Sequence, residues 1–324
     1  MYDDLSGREQ RERDAYPPEG PAADQRRASP PRRVRRQPRR IRLSVISLAL
    51  SAAALVLAVA ALVVALRGSG KTEDAPASDI PKDEEVTFQF GGRTLTPVEG
   101  MPLNLYDRNA FARDGKGRVT YAANGRQAKT GIDVSSHQEE VDWQAVKADG
   151  IDFVMLRLGR RGYTEGGLFP DDNFEQNLQG ALDAGLEVGA YFFSQAVTVR
   201  EAEEEAEYVL EALGGRELTF PVAFDWESIP GEEARTDGVD GGEMTRCAAA
   251  FCKRIADGGY RPAVYFNQTQ GYLRYDLRDL AEYELWLAEY GDAPDFYYHF
   301  DLWQYSQSGQ VDGIQGSVDL NLAF

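Results

Sequence analysis

The sequence predicts a mixed α/β fold, because strand-like and helix-like segments alternate from residue 129 onward and three more strands follow with short connections. Near-continuous apolar strands separated by amphipathic helices are typical of a parallel sheet that helices cover. Five strand–helix units and three final strands can close an eight-stranded barrel with an irregular last third. Residues 129–324 are fewer than the roughly 250 of a regular barrel, so a doubly wound open sheet is the alternative.

The predicted strands are short apolar runs, and the helices have apolar residues at helical spacing. The strands begin at Gly131, Phe153, Val188, Phe220, Pro262, Leu285, Leu302 and Val318. Helices are predicted over residues 143–148, 173–184, 198–213 and 244–256. Thr198 is the expected N-cap of the third helix, with Glu201 completing a capping box.

The first 85 residues divide into three segments by composition. Residues 1–42 are rich in Arg and Pro, so we expect a disordered cytoplasmic tail. Residues 43–66 contain no charged residue and are long enough to cross the lipid bilayer as an uncleaved signal anchor, since roughly 20 apolar residues suffice. Arg residues crowd the N-terminal flank, which places the rest of this single-pass chain outside the cell membrane. Residues 67–85 are predicted to be an extracellular linker.

Residues 86–128 contain short strand-like runs. Predicted strands begin at Val86, Leu103 and Arg118, and the glycines over residues 114–117 mark a hairpin turn between the last two. We expect this β-rich extension to pack on the main domain, because so few strands are marginally stable alone. A separate small binding module is the alternative.

The composition argues against several classes of function. The chain carries a net charge of −18, and the acidic part after residue 42 does not resemble a nucleic-acid surface. His137 and His299 are far apart in sequence and form no plausible zinc set with Cys247 and Cys252. We therefore expect no metal and no cofactor. The two cysteines lie five residues apart on a predicted helix, so buried free thiols are expected rather than a disulfide.

The segment Phe220 to Glu227 carries the strongest functional signal. It predicts a buried strand that ends in two carboxylates, Asp225 and Glu227, on either side of Trp226. Side chains alternate along a strand, so both acids point to the same side. Glycosidic bond cleavage uses paired carboxylates of this kind. Glu227 is the expected proton donor, because the charge of Asp225 and partial burial favour its protonated form, and Asp225 would act as base, nucleophile or stabiliser.

Polar and aromatic residues recur near the ends of the other predicted strands. In a parallel barrel the carboxyl ends of the strands converge on one face, which carries the chemistry. The expected pocket residues are Asp133, Arg157, Tyr191, Tyr265, Trp286, Tyr290, Gln304 and Asp319, with Asn267 and Glu289 at equivalent positions. Each alone has a structural explanation, since strand-end Asp residues form caps or turns, Arg forms ion pairs and aromatic residues fill cores. Their convergence around the carboxylate pair favours a site.

Five segments together resemble glycoside hydrolase family 25, the N-acetylmuramidase family of lysozymes. They are Gly131-Ile-Asp-Val-Ser-Ser-His-Gln, Phe224-Asp-Trp-Glu, Leu285-Trp-Leu-Ala-Glu-Tyr, Trp303-Gln-Tyr-Ser and Val318-Asp-Leu-Asn. The resemblance covers residues 130–324 and implies an irregular TIM-like (β/α)5β3 barrel. It also implies cleavage of the β-1,4 bond between N-acetylmuramic acid and N-acetylglucosamine in peptidoglycan glycan strands.

The resemblance further implies roles for single residues. Glu227 matches the general acid of the family, and Asp225 matches the partner acid, which in a substrate-assisted route would orient the 2-acetamido group of the substrate. The other matched pocket positions are Asp133, Asp319, Tyr191, Trp286 and Gln304. Inverting and retaining mechanisms both stay open. The membrane anchor and the extension lie outside the resemblance, and they favour remodelling of the producing cell's own wall.

Two other functions stay open at this point. A non-catalytic protein that binds the cell wall can use a hydrolase fold. A carboxylate pair on a barrel strand also serves the cleavage of chitin-type N-acetylhexosamine polymers. Products from purified peptidoglycan distinguish the first alternative, and activity on chitin oligomers distinguishes the second. The sequence does not indicate an oligomeric state.

Overall fold

A computed structural model of the protein describes residues 86–229 and 233–324. The predicted tail, membrane segment and linker, residues 1–42, 43–66 and 67–85, lie outside the described residues, and their bounds stay predictions. Across the two described ranges, no helix has the length and apolar character needed to cross a membrane.

Residues 86–128 form five short strands in two small sheets. The first two strands form an antiparallel hairpin, and the fourth strand lies between the third and the fifth. The turn over residues 114–117 joins the third and fourth strands, where a hairpin turn is predicted. The strands are β1 (Phe88–Phe90), β2 (Arg93–Leu95), β3 (Phe111–Arg113), β4 (Val119–Ala123) and β5 (Arg126–Gln127).

The strand predicted to begin at Leu103 does not form, and the hairpin partner of β4 is β3 instead. Leu103 makes only an isolated bridge with Tyr298. The neighbouring Asn104 bonds the same loop through its backbone N–H, which donates to the carbonyl of Tyr297, and through its side chain. The backbone of this segment therefore pairs with a barrel loop rather than with a strand of the extension.

The β-rich extension shares its hydrophobic core with the rest of residues 86–324. The ring of Tyr106 stacks on that of Phe324, with centroids 4.0 Å apart. Arg118, which is buried, donates hydrogen bonds to the side chain and the carbonyl oxygen of Asp149. These contacts bury apolar area that a few short strands could not bury alone.

Within the described ranges, eight strands close a barrel, and one short strand extends its rim. Seven barrel strands run parallel, and the last runs antiparallel to both of its neighbours. Pairing between the first two barrel strands and between the first and the last closes the ring, which confirms the predicted barrel and shows that the open-sheet alternative is wrong. The strands are β6 (Lys129–Val134), β7 (Phe153–Arg161), β8 (Leu168–Pro170, on the rim), β9 (Glu187–Ser194), β10 (Val222–Trp226), β11 (Pro262–Asn267), β12 (Glu284–Ala288), β13 (Leu302–Gly309) and β14 (Val318–Ala323).

The first five strand-to-strand connections of the barrel each contain an α-helix. The helices are α1 (Trp143–Ala148), α2 (Phe174–Asp183), α3 (Val199–Leu213), α4 (Gly241–Asp257) and α5 (Gln268–Leu273). Thr198 caps α3 as predicted, but the Glu201 carboxylate accepts from the backbone N–H of Val197 instead of completing the box with Thr198. Residues 284–323 contain three strands and no α-helix, which is the irregular last third that the sequence predicts.

The inside of the barrel is packed by large rings that fit over small residues. Phe153 and Phe220 stack with ring centroids 4.2 Å apart. A Cβ at Gly131 would overlap the ring of Phe153, and one at Gly189 would overlap Met155, so these positions require glycine. This packed layer fills the end of the barrel where the parallel strands begin, and polar side chains occupy the other end.

Candidate active site

The predicted pocket residues come together at the carboxyl ends of the parallel strands. The strand register places Asp133 beside Asp319, and Arg157 beside Tyr191. It also places Tyr265 between Asp225 and Trp286 on the neighbouring strands. Because these strands are consecutive around the closed ring, the side chains surround one polar chamber above the packed layer.

The carboxyl groups of Asp225 and Glu227 lie close enough to interact electrostatically. Asp225 is the fourth residue of β10 and is buried, whereas Glu227 follows the end of the strand and is partly exposed. Trp226 points the other way, into the core, where its indole N–H donates to the carbonyl of Ala196 at 3.3 Å. The alternation expected from the sequence therefore places both acids on the inner side of the barrel wall.

The surroundings of Asp225 favour its protonated form. Burial first, and then the negative charge of Glu227, raise the pKa of Asp225 well above its ordinary value, while Arg157 acts in the opposite direction. Two neighbouring carboxyl groups cannot both ionise easily, so the pair keeps one proton more readily than two isolated carboxyl groups would. The Oδ1 atom of Asp225 is buried without a hydrogen-bond partner among the described residues.

Asp133 is held by two side-chain amides. Its Oδ2 atom accepts a hydrogen bond of 2.9 Å from Nε2 of Gln304 and one of 2.8 Å from Nδ2 of Asn321. Amides donate without adding charge, so they fix the position of the Asp133 carboxylate without neutralising it. Asn321 lies 188 residues away in sequence from the acid that it holds.

Gln304 and Asn321 also position the aromatic residues of the chamber. Oε1 of Gln304 accepts hydrogen bonds from the hydroxyl groups of Tyr265 and Tyr290, at 3.0 and 3.2 Å. Oδ1 of Asn321 accepts the indole N–H of Trp286 at 2.9 Å. Each amide therefore uses its oxygen for an aromatic donor and its nitrogen for Asp133, which links the aromatic residues to an acid.

The aromatic residues differ in exposure. Trp286 is buried beneath Tyr191 and Tyr265, whose ring centroids lie 6.0 and 4.9 Å from its own. Burial raises the pKa of Tyr191 and of Tyr265 well above the ordinary phenol value, so both stay neutral hydroxyl groups. Tyr290 is 54% exposed and stands at the rim of the chamber.

Asp319 lies at the chamber on a strand whose direction differs from the predicted one. It was expected at the carboxyl end of a parallel strand, but β14 is antiparallel and Asp319 is its second residue. An antiparallel strand begins at the end where its parallel neighbours finish. Asp319 therefore lies beside Asp133 at the same end of the barrel, although the predicted strand direction is wrong.

Arg157 forms an ion pair and a hydrogen bond at the chamber. Its Nε atom lies 2.8 Å from Oδ2 of the buried Asp171, and its Nη2 atom donates to the hydroxyl of Ser136 at 3.1 Å. Oδ2 of Asp171 also accepts the backbone N–H of Ser136 at 3.0 Å. Arg157 thus ties the loop after β6 to the wall of the barrel, and its charge partly opposes the rise in the pKa of Tyr191 and Asp225 that burial causes.

Two polar residues at strand ends serve local structure. The side chain of Asn267 caps α5, accepting from the backbone N–H of Gln270 at 3.0 Å. The carboxylate of Glu289 accepts the backbone N–H groups of Asp295 and Phe296, at 2.7 and 3.1 Å, and burial raises its pKa to about 7. For these two residues the plain structural explanation is the correct one.

Among the described residues, no group of three His, Cys, Asp or Glu side chains is arranged to hold a metal ion. Cys247 and Cys252 are free and buried, as expected from their spacing. Burial raises the pKa of Cys247 to about 12, so it stays a thiol. A thiol is a weak nucleophile compared with its thiolate, so Cys247 is poorly suited to act as a nucleophile.

Sequence reasoning missed several side chains that the site uses, namely Asp171, Gln195, Gln270 and Asn321. Asn321 had a signal, because it follows Asp319 at a spacing of two and so points to the same side of its strand. The others lie in loops or in a short helix, where no periodicity identifies them.

A closed α/β barrel with a pair of carboxyl side chains at the carboxyl ends of its strands is an arrangement that glycoside hydrolases use. The chain belongs to the glycosyl hydrolases family 25, whose family model matches residues 132–314. The resemblance identified in the sequence is therefore confirmed.

Several relatives match the same part of the chain. The autolytic lysozyme of Clostridium acetobutylicum is 31% identical over 194 residues, which cover 59% of this chain and 54% of that protein. Lysozyme M1 of Streptomyces globisporus is 29% identical over 204 residues, 59% of this chain and 66% of that protein. The crystal structure of a bacterial lysozyme from Streptomyces coelicolor superposes with a TM-score of 0.51 at 27% identity, covering 60% of this chain and 90% of that one. This chain thus spans about half the length of the clostridial relative.

Proposed function

We propose that this protein is a membrane-anchored peptidoglycan hydrolase that cleaves the β-1,4 bond between N-acetylmuramic acid and N-acetylglucosamine. The interacting carboxyl pair of Asp225 and Glu227 at the carboxyl end of β10 carries the proposal. The membership of family 25 supports it, as do the lysozymes among its relatives.

Glu227 is the general acid in this proposal, and Asp225 is its partner. Glu227 is the more exposed of the two, so it can reach the oxygen of a glycosidic bond that lies across the chamber. When the shared proton moves to the leaving oxygen through Glu227, both carboxyl groups become negative. Two negative charges beside the sugar ring then stabilise the positive charge that develops on its anomeric carbon.

Asp225 has an additional capacity that suits an N-acetylated sugar. Its buried Oδ1 atom has no hydrogen-bond partner among the described residues. A buried carboxyl oxygen without a donor is costly, and the N–H of a substrate acetamido group would satisfy it. Such a bond would orient the acetamido group for attack on the anomeric carbon. Inversion by an activated water is the other route, and it uses the same two residues.

The test is product analysis with purified peptidoglycan. The full chain in mild detergent should release fragments that end in reducing N-acetylmuramic acid, which mass spectrometry identifies. Glu227→Gln should release none, because an amide cannot donate the proton, whereas the exposed Glu211→Gln should match the wild type. Reducing N-acetylglucosamine would refute the proposed bond. Folded protein that sediments with the wall without releasing products would indicate a binding scaffold, and turnover of chitin oligomers would indicate a chitin-type enzyme.

The proposed location is the outer face of the cell membrane, with residues 43–66 as the anchor and the N-terminus in the cytoplasm. The uncharged run and its Arg-rich N-terminal flank support this placement. The full chain should sediment with membranes, and protease added to intact spheroplasts should remove the barrel. Deletion of residues 43–66 should leave the barrel inaccessible to that protease, and equal accessibility of both forms would contradict the anchor.

A further inference from the structure

The backbone that carries Glu227 is held by two glutamine side chains at the point where strand β10 ends. Nε2 of Gln270 donates to the carbonyl oxygen of Trp226 at 2.6 Å. Nε2 of Gln195 donates to the carbonyl oxygen of Glu227 at 2.8 Å. Both glutamines are buried, so water does not compete for these carbonyl groups. Consecutive carbonyl groups are therefore fixed by side chains rather than by a neighbouring strand.

Each glutamine amide has a defined orientation, because its oxygen has its own donor. Oε1 of Gln195 accepts the hydroxyl of the buried Thr236 at 3.0 Å. Oε1 of Gln270 accepts the backbone N–H of Asn267 at 2.9 Å, within the capping box of α5. With the oxygen engaged, the nitrogen of each amide must point toward β10.

The backbone of Gln195 is fixed as well. Its carbonyl oxygen accepts a hydrogen bond from Nη1 of Arg235 at 3.1 Å, and Nη2 of the same guanidinium pairs with Glu201 at 2.6 Å. Glu201 belongs to the first turn of α3. A continuous chain of polar contacts thus runs from a helix outside the barrel to the backbone of Glu227.

We propose that Gln195 and Gln270 are positioning residues that set the direction in which the Glu227 side chain leaves the backbone, an inference that rests on the proposed function. Fixing the carbonyl groups of Trp226 and Glu227 fixes the peptide plane between them and the one after Glu227. The Cα–Cβ bond of Glu227 is held by these two planes. A displacement of about 1 Å at a reacting group can reduce turnover roughly 100-fold. The clamp formed by the Gln195 and Gln270 hydrogen bonds therefore controls proton delivery without contacting substrate.

The experiment compares three variants of the full chain on soluble peptidoglycan glycan oligomers. Gln195→Met and Gln270→Met remove the amide donor at similar side-chain volume, and the exposed Gln179→Met on α2 is the matched control. We expect kcat to fall roughly 100-fold in the first two variants with KM within about twofold, while the control stays at the wild-type level. Thermal unfolding confirms that each measured protein is folded. If Gln195→Met does not fold, Gln270→Met tests the same clamp at the neighbouring carbonyl.

A fourth variant separates positioning from a merely structural role. In Gln195→Glu, a protonated carboxyl can still donate to the Glu227 carbonyl, whereas an ionised one repels it. The ratio of variant to wild-type kcat should therefore rise as the pH is lowered for Gln195→Glu and stay constant for Gln195→Met. A pH-independent ratio for Gln195→Glu, or wild-type kcat in the folded methionine variants, overturns the inference while the wild type still cleaves. A wild-type chain without hydrolase activity overturns the proposed function itself.

Discussion

The amide bridge at Asn321 offers a quantitative test of how the site is built. Asn321 is fully buried and joins Trp286 to Asp133. Asn321→Leu keeps a side chain of similar shape and removes both hydrogen bonds. The buried indole N–H then loses its acceptor, which costs about 1–3 kcal/mol, and Asp133 loses a donor worth about 1.5–3 kcal/mol. We expect a loss of about 4 kcal/mol in the free energy of unfolding.

The assay is thermal unfolding of the full chain followed by circular dichroism. For a domain of this size, 1 kcal/mol corresponds to about 2–4 °C, so the melting temperature should fall by about 10 °C. The exposed Asn109→Leu is the control, with an expected change within about 0.5 kcal/mol. A melting temperature of Asn321→Leu within about 2 °C of the wild type would refute the reasoning, because the bridge would then contribute no net stability.

Three further outcomes are expected. Burial and the charge of Glu227 raise the pKa of Asp225, so the folded state keeps a proton that the unfolded chain releases above about pH 4. Because the folded state binds the extra proton, the free energy of unfolding falls as the pH rises. Asp225→Asn should therefore gain stability relative to the wild type between about pH 4 and about pH 7 in urea titrations, and a constant difference would contradict the assignment. Arg118→Met should lower the free energy of unfolding by about 2 kcal/mol in the same urea titrations, because the buried Asp149 then keeps only Lys116 as its cation. The control Arg113→Met breaks the exposed ion pair with Asp292 and should lower it by less than about 1 kcal/mol. The thiols of Cys247 and Cys252 should react with a thiol reagent only after denaturation, and reaction in the native state would show that α4 opens.

Periodicity in the sequence predicts most of the barrel. The strand at Phe153 and the strand at Val188 are apolar on both faces, since one face packs inside the barrel and the other under the helices. An apolar run of this kind predicts a buried parallel strand from the local sequence alone. The segment at Leu103 has a similar local pattern, but its backbone partner lies in the distant loop near Tyr298, and no local rule identifies such a partner.

The direction of β14 could have been predicted from chain length. Eight residues, 310–317, separate β13 from β14. A parallel crossover needs a dozen or more, so the connection permits only an antiparallel return. The position of Asp319 at the end of a predicted strand drew attention to it, but the direction expected for that strand was wrong.

The acidic residues of the candidate site could be predicted, because charged groups are costly to bury. Asp133, Asp225 and Glu227 stand out because acids on apolar strands demand an explanation. Gln195 and Gln270 do not stand out, since a neutral amide in a loop or a short helix has an ordinary appearance in a sequence. Their importance comes from the carbonyl groups that they reach, which only the folded chain brings near.

The antiparallel closing strand has a consequence for the order in which the chamber is assembled. Asp319 and Asn321 belong to β14, and that strand seals the ring against β6. Before β14 pairs, β6 and β13 each lack a neighbour and Asp133 lacks one of its donors. Closure of the barrel and assembly of the carboxyl chamber are therefore one event. A chain interrupted before residue 318 would have an open wall and an incomplete chamber.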